Sequence, residues 1–449
     1  MTAPFAPQFP VDEVRVGHIR AGSDSSWHAC TITADARLGI GGQVPYRAGD
    51  PNFGDVAEWF RKQELPTSLL FSDHRGQVLF HHVRWAGTQG SDYQLGTFRA
   101  AEVVLGTPRS FPDDYRYREL RSRIDGLDEV VRARTIEVDH AKEATVVRIV
   151  SAPSTSWDHG GFSYEISSIT PWEHTSGESF TALTHAALTT SRDGGASGAD
   201  HLSAQWPVRA LLLLLHGRAL AWRSHEIRDH QFPFWMMSGE ELEPTWAPIQ
   251  LERTNRYLHL PLPADREVGL PLLHLQQFGA VGMQRWLQLY DDDAFARAID
   301  PVVEVLNGAS SFMEIRLLMT ALGLDAMGFF HDPARNPRQR IARQIQRCVT
   351  FSGLDWSDIG SPTAIGLFLA DVNNELKHPD RDNRPDGRRL YLADRLAITL
   401  FRSQVAPLLQ LDKESGGTFA FQNLLSNCLR DFQRNDARLD ETVNLRPRG

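Results

Sequence analysis

The hydrophobic pattern changes period part-way along the chain, and that change restricts the fold more than any other feature. Up to about residue 180, apolar positions fall in short β-branched or aromatic runs cut by Gly, Pro and Asp. Ser68–Phe71 and Val78–Val83 flank Asp73-His74-Arg75-Gly76, and Leu95–Leu105, Ala144–Val150 and Phe162–Ile169 follow. Short runs with this punctuation predict an antiparallel sheet or sandwich, and the first pair predicts a hairpin whose loop exceeds two residues. A short helix is expected within Tyr115–Arg132. From about residue 285 the spacing becomes helical. Ile315, Leu318, Met319, Leu322 and Ala326 mark one apolar face; Ile365, Phe368, Leu369, Val372 and Leu376 a second; Ala393, Leu396, Ala397, Leu400 and Phe401 a third. Ser361-Pro362 is a helix start, a capping hydroxyl followed by a residue that needs no N–H in the first turn. Two more helices are expected at Asp293–Val305 and Arg338–Cys348, and short connections predict an antiparallel bundle. The fold class is therefore α+β, a β-rich N-terminal region followed by a C-terminal helical bundle.

The 449 residues divide on this reading into a β-rich domain (1–190), a mixed helical and irregular connector packed on it (191–285), the bundle (286–435) and a tail (436–449). Thr190–Asp200, rich in Ser, Gly and Asp, reads as a loop. Trp206–Trp222 reads as a helix buried on several sides, since its five consecutive leucines surround the axis. That run is far shorter than the roughly 20 residues a bilayer requires. Met1–Pro10 lacks the basic and apolar regions of a signal peptide. Cys30, Cys348 and Cys428 are few and widely spaced, which suits a reducing cytoplasm and neither a disulfide scaffold nor a zinc module. A net charge of −9 excludes a wholly basic surface but not a local basic patch.

Several motifs fail on geometry. His225 and His230 are five apart, one residue too many to share a helical face around a metal, so the segment reads as a polar loop. Gly39-Ile40-Gly41-Gly42 lacks the third glycine of a dinucleotide fingerprint, and no phosphate-binding loop with Gly-Lys-Ser/Thr occurs. Gly194-Gly195-Ala196-Ser197-Gly198 has no strand signal before it and is not a nucleophile elbow. His81 and His82 alternate along a strand, which sends their rings to opposite faces and argues against joint use. No metal ligand set and no cofactor site is read from the chain.

The end of the second bundle helix, Asp371-Val372-Asn373-Asn374-Glu375-Leu376-Lys377-His378-Pro379-Asp380-Arg381, carries chemistry. Val372 and Leu376 belong to the apolar stripe, whereas Asn374 and His378, four apart, share the opposite face beside Lys377 and Arg381. An imidazole there suits proton transfer as a ribose 2′-hydroxyl attacks phosphorus, and amide and cationic donors suit the charge gathering on the phosphate oxygens. The same residues also fit a plain helix cap before Pro379. Arg335, Arg338, Arg340, Arg343 and Arg347 lie in a segment without acidic residues, and Arg388, Arg389 and Arg395 follow the helix end. They form a candidate phosphate-binding patch or, equally, a solvated face.

Asn373-Asn374-Glu375-Leu376-Lys377-His378 resembles the signature of the HEPN superfamily, an arginine followed by polar residues and closed by a histidine. The helices from about 290 to 435 resemble the HEPN bundle of ApeA-type proteins. Tyr117–Val131 and Leu211–Ile227 resemble the long N-terminal region of the same proteins. The resemblance implies a metal-independent ribonuclease acting as a homodimer through its bundle, in abortive defence against phage. His378 would act on the 2′-hydroxyl and phosphate, with Asn373, Asn374, Lys377 and Arg381 around it. Arg335, Arg338, Arg340, Arg343, Arg347 and Arg388 would hold RNA, transfer RNA or phage transcripts being the candidates. The N-terminal region would sense a phage-derived trigger, and no membrane is involved. Asn373 stands where the family has arginine, which leaves a second expectation open: a non-cleaving HEPN protein that binds RNA, a nucleotide or a protein. A third is an interaction protein that docks a partner through 206–260.

Overall fold

The computed structural model describes all residues except 1–12, 24, 36–38, 48, 112–113, 141–144, 176–178, 237, 239–240, 256–269, 309–311, 337, 379–383, 412–416, 441–444 and 447–449. The fold is α+β, and the chain divides into two compact units. One takes the described residues of 1–128, 133–205 and 221–265; the other takes those of 129–132, 206–220 and 266–449.

In the first unit six antiparallel strands close on themselves. They are β1 (Val14–Arg20), β2 (His28–Asp35), β3 (Gly39–Arg47), β4 (Ser68–Asp73), β5 (Gly76–Gly90) and β6 (Tyr93–Leu105). Their order is β6-β3-β2-β1-β4-β5, and β5 pairs with β6 to complete a barrel. The interior is apolar, with Ile32, Val44, Phe71, Phe80 and Phe98 all buried. Helix α1 (Gly54–Lys62) adds Val56 and Phe60, and Phe60 stacks on Tyr46 at 5.5 Å. Asp73 pairs directly with Gly76, so the expected hairpin exists but its loop is the tight two-residue His74-Arg75.

Past β6 come β7 (Tyr117–Ile124), the hairpin β8 (Ile136–His140) and β9 (Thr145–Ile149), β10 (Thr155–His159) and β11 (Phe162–Ile169). The hairpin β12 (Trp172–Thr175) and β13 (Ser179–Ala182), then β14 (His185–Ala196), β15 (Trp222–Arg228), the short pair β16 (Phe234–Trp235) and β17 (Glu241–Leu242), and β18 (Ala247–Leu251) complete the unit. The sheet runs on from β6 through β18, β15, β7, β14 and β11 to β10. The short helix expected within Tyr115–Arg132 is α2 (Leu127–Val131), preceded by strand β7, in which Tyr117, Leu120, Ser122 and Ile124 are buried. Two expectations are corrected here. Thr190–Ala196 is the end of β14, not a loop, and its glycines accommodate a bulge at positive φ. His225 and Glu226 lie in β15, not in a polar loop: His225 is buried and bonded to Ser122 Oγ (2.8 Å) and Thr254 Oγ1 (3.0 Å).

Helix α3 (Gly198–His216) starts earlier than expected and stops sooner. Its first turns carry His201 and Gln205, which satisfy buried carbonyls and hydroxyls of β7 and β14. Leu211–Leu215 are all buried, as the all-round apolar pattern requires, and so are unavailable to a partner. Gly217, at φ 71°, ends the helix. Arg402 donates to the last carbonyls, Leu214 O at 2.7 Å and Leu215 O at 2.9 Å, a cation on the negative end of the helix dipole.

The remaining helices are α4 (Glu252–Asn255), α5 (Leu275–Tyr290), α6 (Asp293–Leu306), α7 (Met313–Phe330), α8 (Ile341–Phe351), α9 (Pro362–Lys377), α10 (Gly387–Arg402), α11 (Val405–Leu408) and α12 (Gly417–Arg434), followed by the short pair β19 (Arg438–Leu439) and β20 (Leu445–Arg446). Helices α6 to α10 form the bundle around Phe295, Leu324, Phe368, Leu396 and Phe401. Gly328 of α7 and Gly366 of α9 both face α8, where a Cβ would collide with its backbone, so the three helices pack closely. The buried face of α7 differs from the expected one. Leu317, Thr320, Ala321, Leu324 and Met327 are inside, whereas Ile315 is 45% and Leu322 54% exposed. Apolar residues occupy both faces of this helix, so periodicity alone does not choose between them. No helix among the described residues is long and apolar enough to cross a membrane.

Candidate functional site

Helix α9 is built as its sequence implies up to its last turn. Ser361 Oγ accepts from Ala364 N–H at 3.1 Å, Pro362 occupies the first turn, and Ile365, Phe368, Leu369 and Val372 are buried. His378 is the C-terminal cap. Its N–H donates to Asn374 O (3.1 Å), and its φ of −116° and ψ of 81° leave the helix, as a residue preceding proline does. The imidazole and Lys377 are exposed and Asn374 is half-buried.

Asn373 turns the other way. It is 1% exposed, and its Oδ1 has no hydrogen-bond partner among the described residues, so it underlies the helix end and does not meet solvent. Arg381 lies outside the described residues. The guanidinium of Arg389 on α10 reaches this helix, and carboxylates of α9 already hold it: Asp371 at 2.5 Å and Glu375 at 3.4 Å. Lys377 instead acts on Asp325 of α7, a half-buried carboxyl that burial pushes above its usual range and that the lysine charge partly restores.

The arginines separate into two groups. Arg335 is exposed but paired with Asp292 (2.5 Å). Arg347 is half-buried, donating to Gly328 O (2.8 Å) and facing Asp332 (3.3 Å), a framework role that ties α8 to α7. Arg388 donates to the carbonyls of Asn435 and Asp436 at the end of α12. The side chains of Arg338, Arg340 and Arg343 are exposed and make no hydrogen bond or ion pair among the described residues. They sit at the start of α8. Ala342 packs on Gly366 and Gln346 bonds to Thr363, so α8 runs antiparallel to α9 and its start lies toward the half of α9 that ends at His378.

Two features escaped the sequence. Asp325 looked like an ordinary polar position of α7, and only packing shows it near Lys377. The other is a cluster in the β-rich unit. His82 has φ 52°, which breaks the alternation expected of a strand and brings its ring to 4.0 Å from that of His81. The expectation that these two rings face apart is therefore corrected. Together with Asp114 they place three ligand-type atoms within 4.8 Å of one another.

No protein family, curated protein or solved structure matches this chain.

Proposed function

We propose that the protein is a metal-independent endoribonuclease of HEPN type, with His378 the proton-transferring residue. The observation that carries this is an exposed imidazole closing a well-packed bundle helix, with Lys377 adjacent and three exposed arginines at the start of the neighbouring helix. His378 would take the proton from the ribose 2′-hydroxyl or return one to the leaving 5′-oxygen. Lys377 and Asn374 would stabilise the phosphorane charge, and Arg338, Arg340 and Arg343 would hold the strand upstream or downstream of the cut. Asn373 is too deeply buried to touch RNA and supports the last turn from beneath. The exposed Ile315 and Leu322 of α7 support a bundle-mediated homodimer, since they give this helix a second apolar face turned to solvent. A cytoplasmic role in abortive phage defence, with the β-rich unit receiving a phage-derived trigger, follows from the resemblance and extends this reading.

A second reading is favoured by one observation. The guanidinium of Arg389, which reaches this helix from α10, is held by Asp371 and Glu375, so a non-cleaving protein that binds RNA, a nucleotide or a protein fits the same surface. Incubating full-length protein with total RNA in EDTA separates the two. Cleavage lost in His378→Ala supports the nuclease; RNA binding without product, unchanged in that variant, supports the binding protein instead.

A further inference from the structure

The barrel carries a second arrangement of chemically capable side chains that the ribonuclease reading does not use. Strand β5 runs with regular pairing past His81, opposite Glu102, to Val83, opposite Ala100. Between them His82 adopts the left-handed conformation, uncommon for a residue with a Cβ and sustained only where surrounding structure imposes it. Its consequence is chemical. Two adjacent imidazoles that a regular strand would direct apart lie together, and Asp114, just before β7, completes the group.

The three residues differ in how they are held. His81 is fully buried and oriented, its Nδ1 in a 2.7 Å hydrogen bond with Ser68 Oγ and its ring edge-on to Tyr115. That leaves Nε2, engaged among the described residues only by a long 3.3 Å bond from Tyr115 N–H. A hydrogen bond on one ring nitrogen that fixes the direction of the other is the usual support of a metal-binding histidine, and here a hydroxyl supplies it. His82 and Asp114 are exposed and adjustable. Asp114 is bonded to Arg116 at 2.9 Å, an exposed pair that costs little to open. Ligands on one ion at about 2.1 Å stand roughly 3 to 3.5 Å apart, so modest rotation of the two outer side chains closes the present spacing.

We propose that His81, His82 and Asp114 bind one divalent transition-metal ion of the zinc class, leaving at least one coordination position for water or a small ligand. Two imidazoles and one carboxylate suit Zn²⁺, Co²⁺, Ni²⁺ or Fe²⁺ better than Mg²⁺ or Ca²⁺, which prefer all-oxygen shells. The ribonuclease test is run in EDTA and reads other residues, so the two proposals fail independently.

The test is a Co²⁺ titration of full-length, untagged protein stripped with EDTA and exchanged into chelator-free buffer, followed by visible absorption and then by Zn²⁺ displacement. His82→Gly keeps the backbone conformation while removing the ring, and Asp114→Ala removes the carboxylate; thermal melting confirms that both fold. We expect one Co²⁺ per chain, displaced by Zn²⁺, with affinity at least about 100-fold weaker in His82→Gly, 10-fold or more weaker in Asp114→Ala, and 10- to 100-fold weaker in Ser68→Ala. Absence of a saturable one-to-one signal, or a signal unchanged in folded His82→Gly and Asp114→Ala, overturns the proposal.

Discussion

At Asn373 the bundle contains something protein cores generally avoid, a buried carboxamide oxygen with no hydrogen-bond partner among the described residues. Leucine has nearly the same shape and no polar atom to desolvate. Asn373→Leu is therefore expected to stabilise the protein by about 1 kcal/mol and to leave RNA cleavage within a few-fold of wild type. Urea unfolding and a cleavage assay check both halves, and destabilisation would show that the amide has a partner that matters. One helical position on, the reasoning reverses, because Asn374 and His378 are positioned by backbone geometry and not by burial. Their common face was readable from a spacing of four. That Asn373 would point inward was readable too, since it follows Val372 on the turn nearest the core, but a polar residue in a buried register is easily assigned to the surface.

Among the elements, α9 was legible from its start at Ser361 and its apolar stripe, and α10 from Ala393, Leu396, Ala397, Leu400 and Phe401, which are all buried. Helix α7 was not. Its buried face is Leu317, Ala321 and Leu324; of the stripe the periodicity selected, Ile315 and Leu322 are exposed and Leu318, Met319 and Ala326 half-buried. A helix that is apolar on both sides carries two overlapping signals, and the extra one is explained if it meets a second copy of the chain. Leu322→Glu should then convert a dimer to a monomer, observed by light scattering on a sizing column, without lowering the melting temperature by more than a degree or two. A wild-type monomer, or a variant that remains dimeric, removes this face from the account. The strands taught a related lesson. Tyr117–Ile124 alternates buried residues with Arg and Glu, a period-two pattern hidden by its high charge. The His81-His82 pair defeated the same rule through a single left-handed residue, which no local pattern announces.

For the molecule as a whole, acid is the revealing variable. Burial holds His201 down at about 4 and His225 at about 3, both far below the ordinary histidine value, each bonded as a neutral ring. The unfolded chain takes up protons near pH 6.5 and these folded sites do not, so their contribution is complete above that pH and declines as pH falls toward their folded values. Each histidine should cost about 2 kcal/mol of stability between pH 7 and pH 5, seen as a falling urea midpoint, and His225→Gln should flatten the curve. The proposed ribonuclease function rests on His378. The most direct measurement is cleavage of end-labelled RNA by the full-length protein in EDTA, with the chemistry of the new 3′ ends determined for wild type and His378→Ala. Attack by the neighbouring 2′-hydroxyl predicts 2′,3′-cyclic phosphate ends and a rate at least about 100-fold lower in the variant. Cleavage that survives the substitution, or that leaves 3′-hydroxyl ends, would contradict the account.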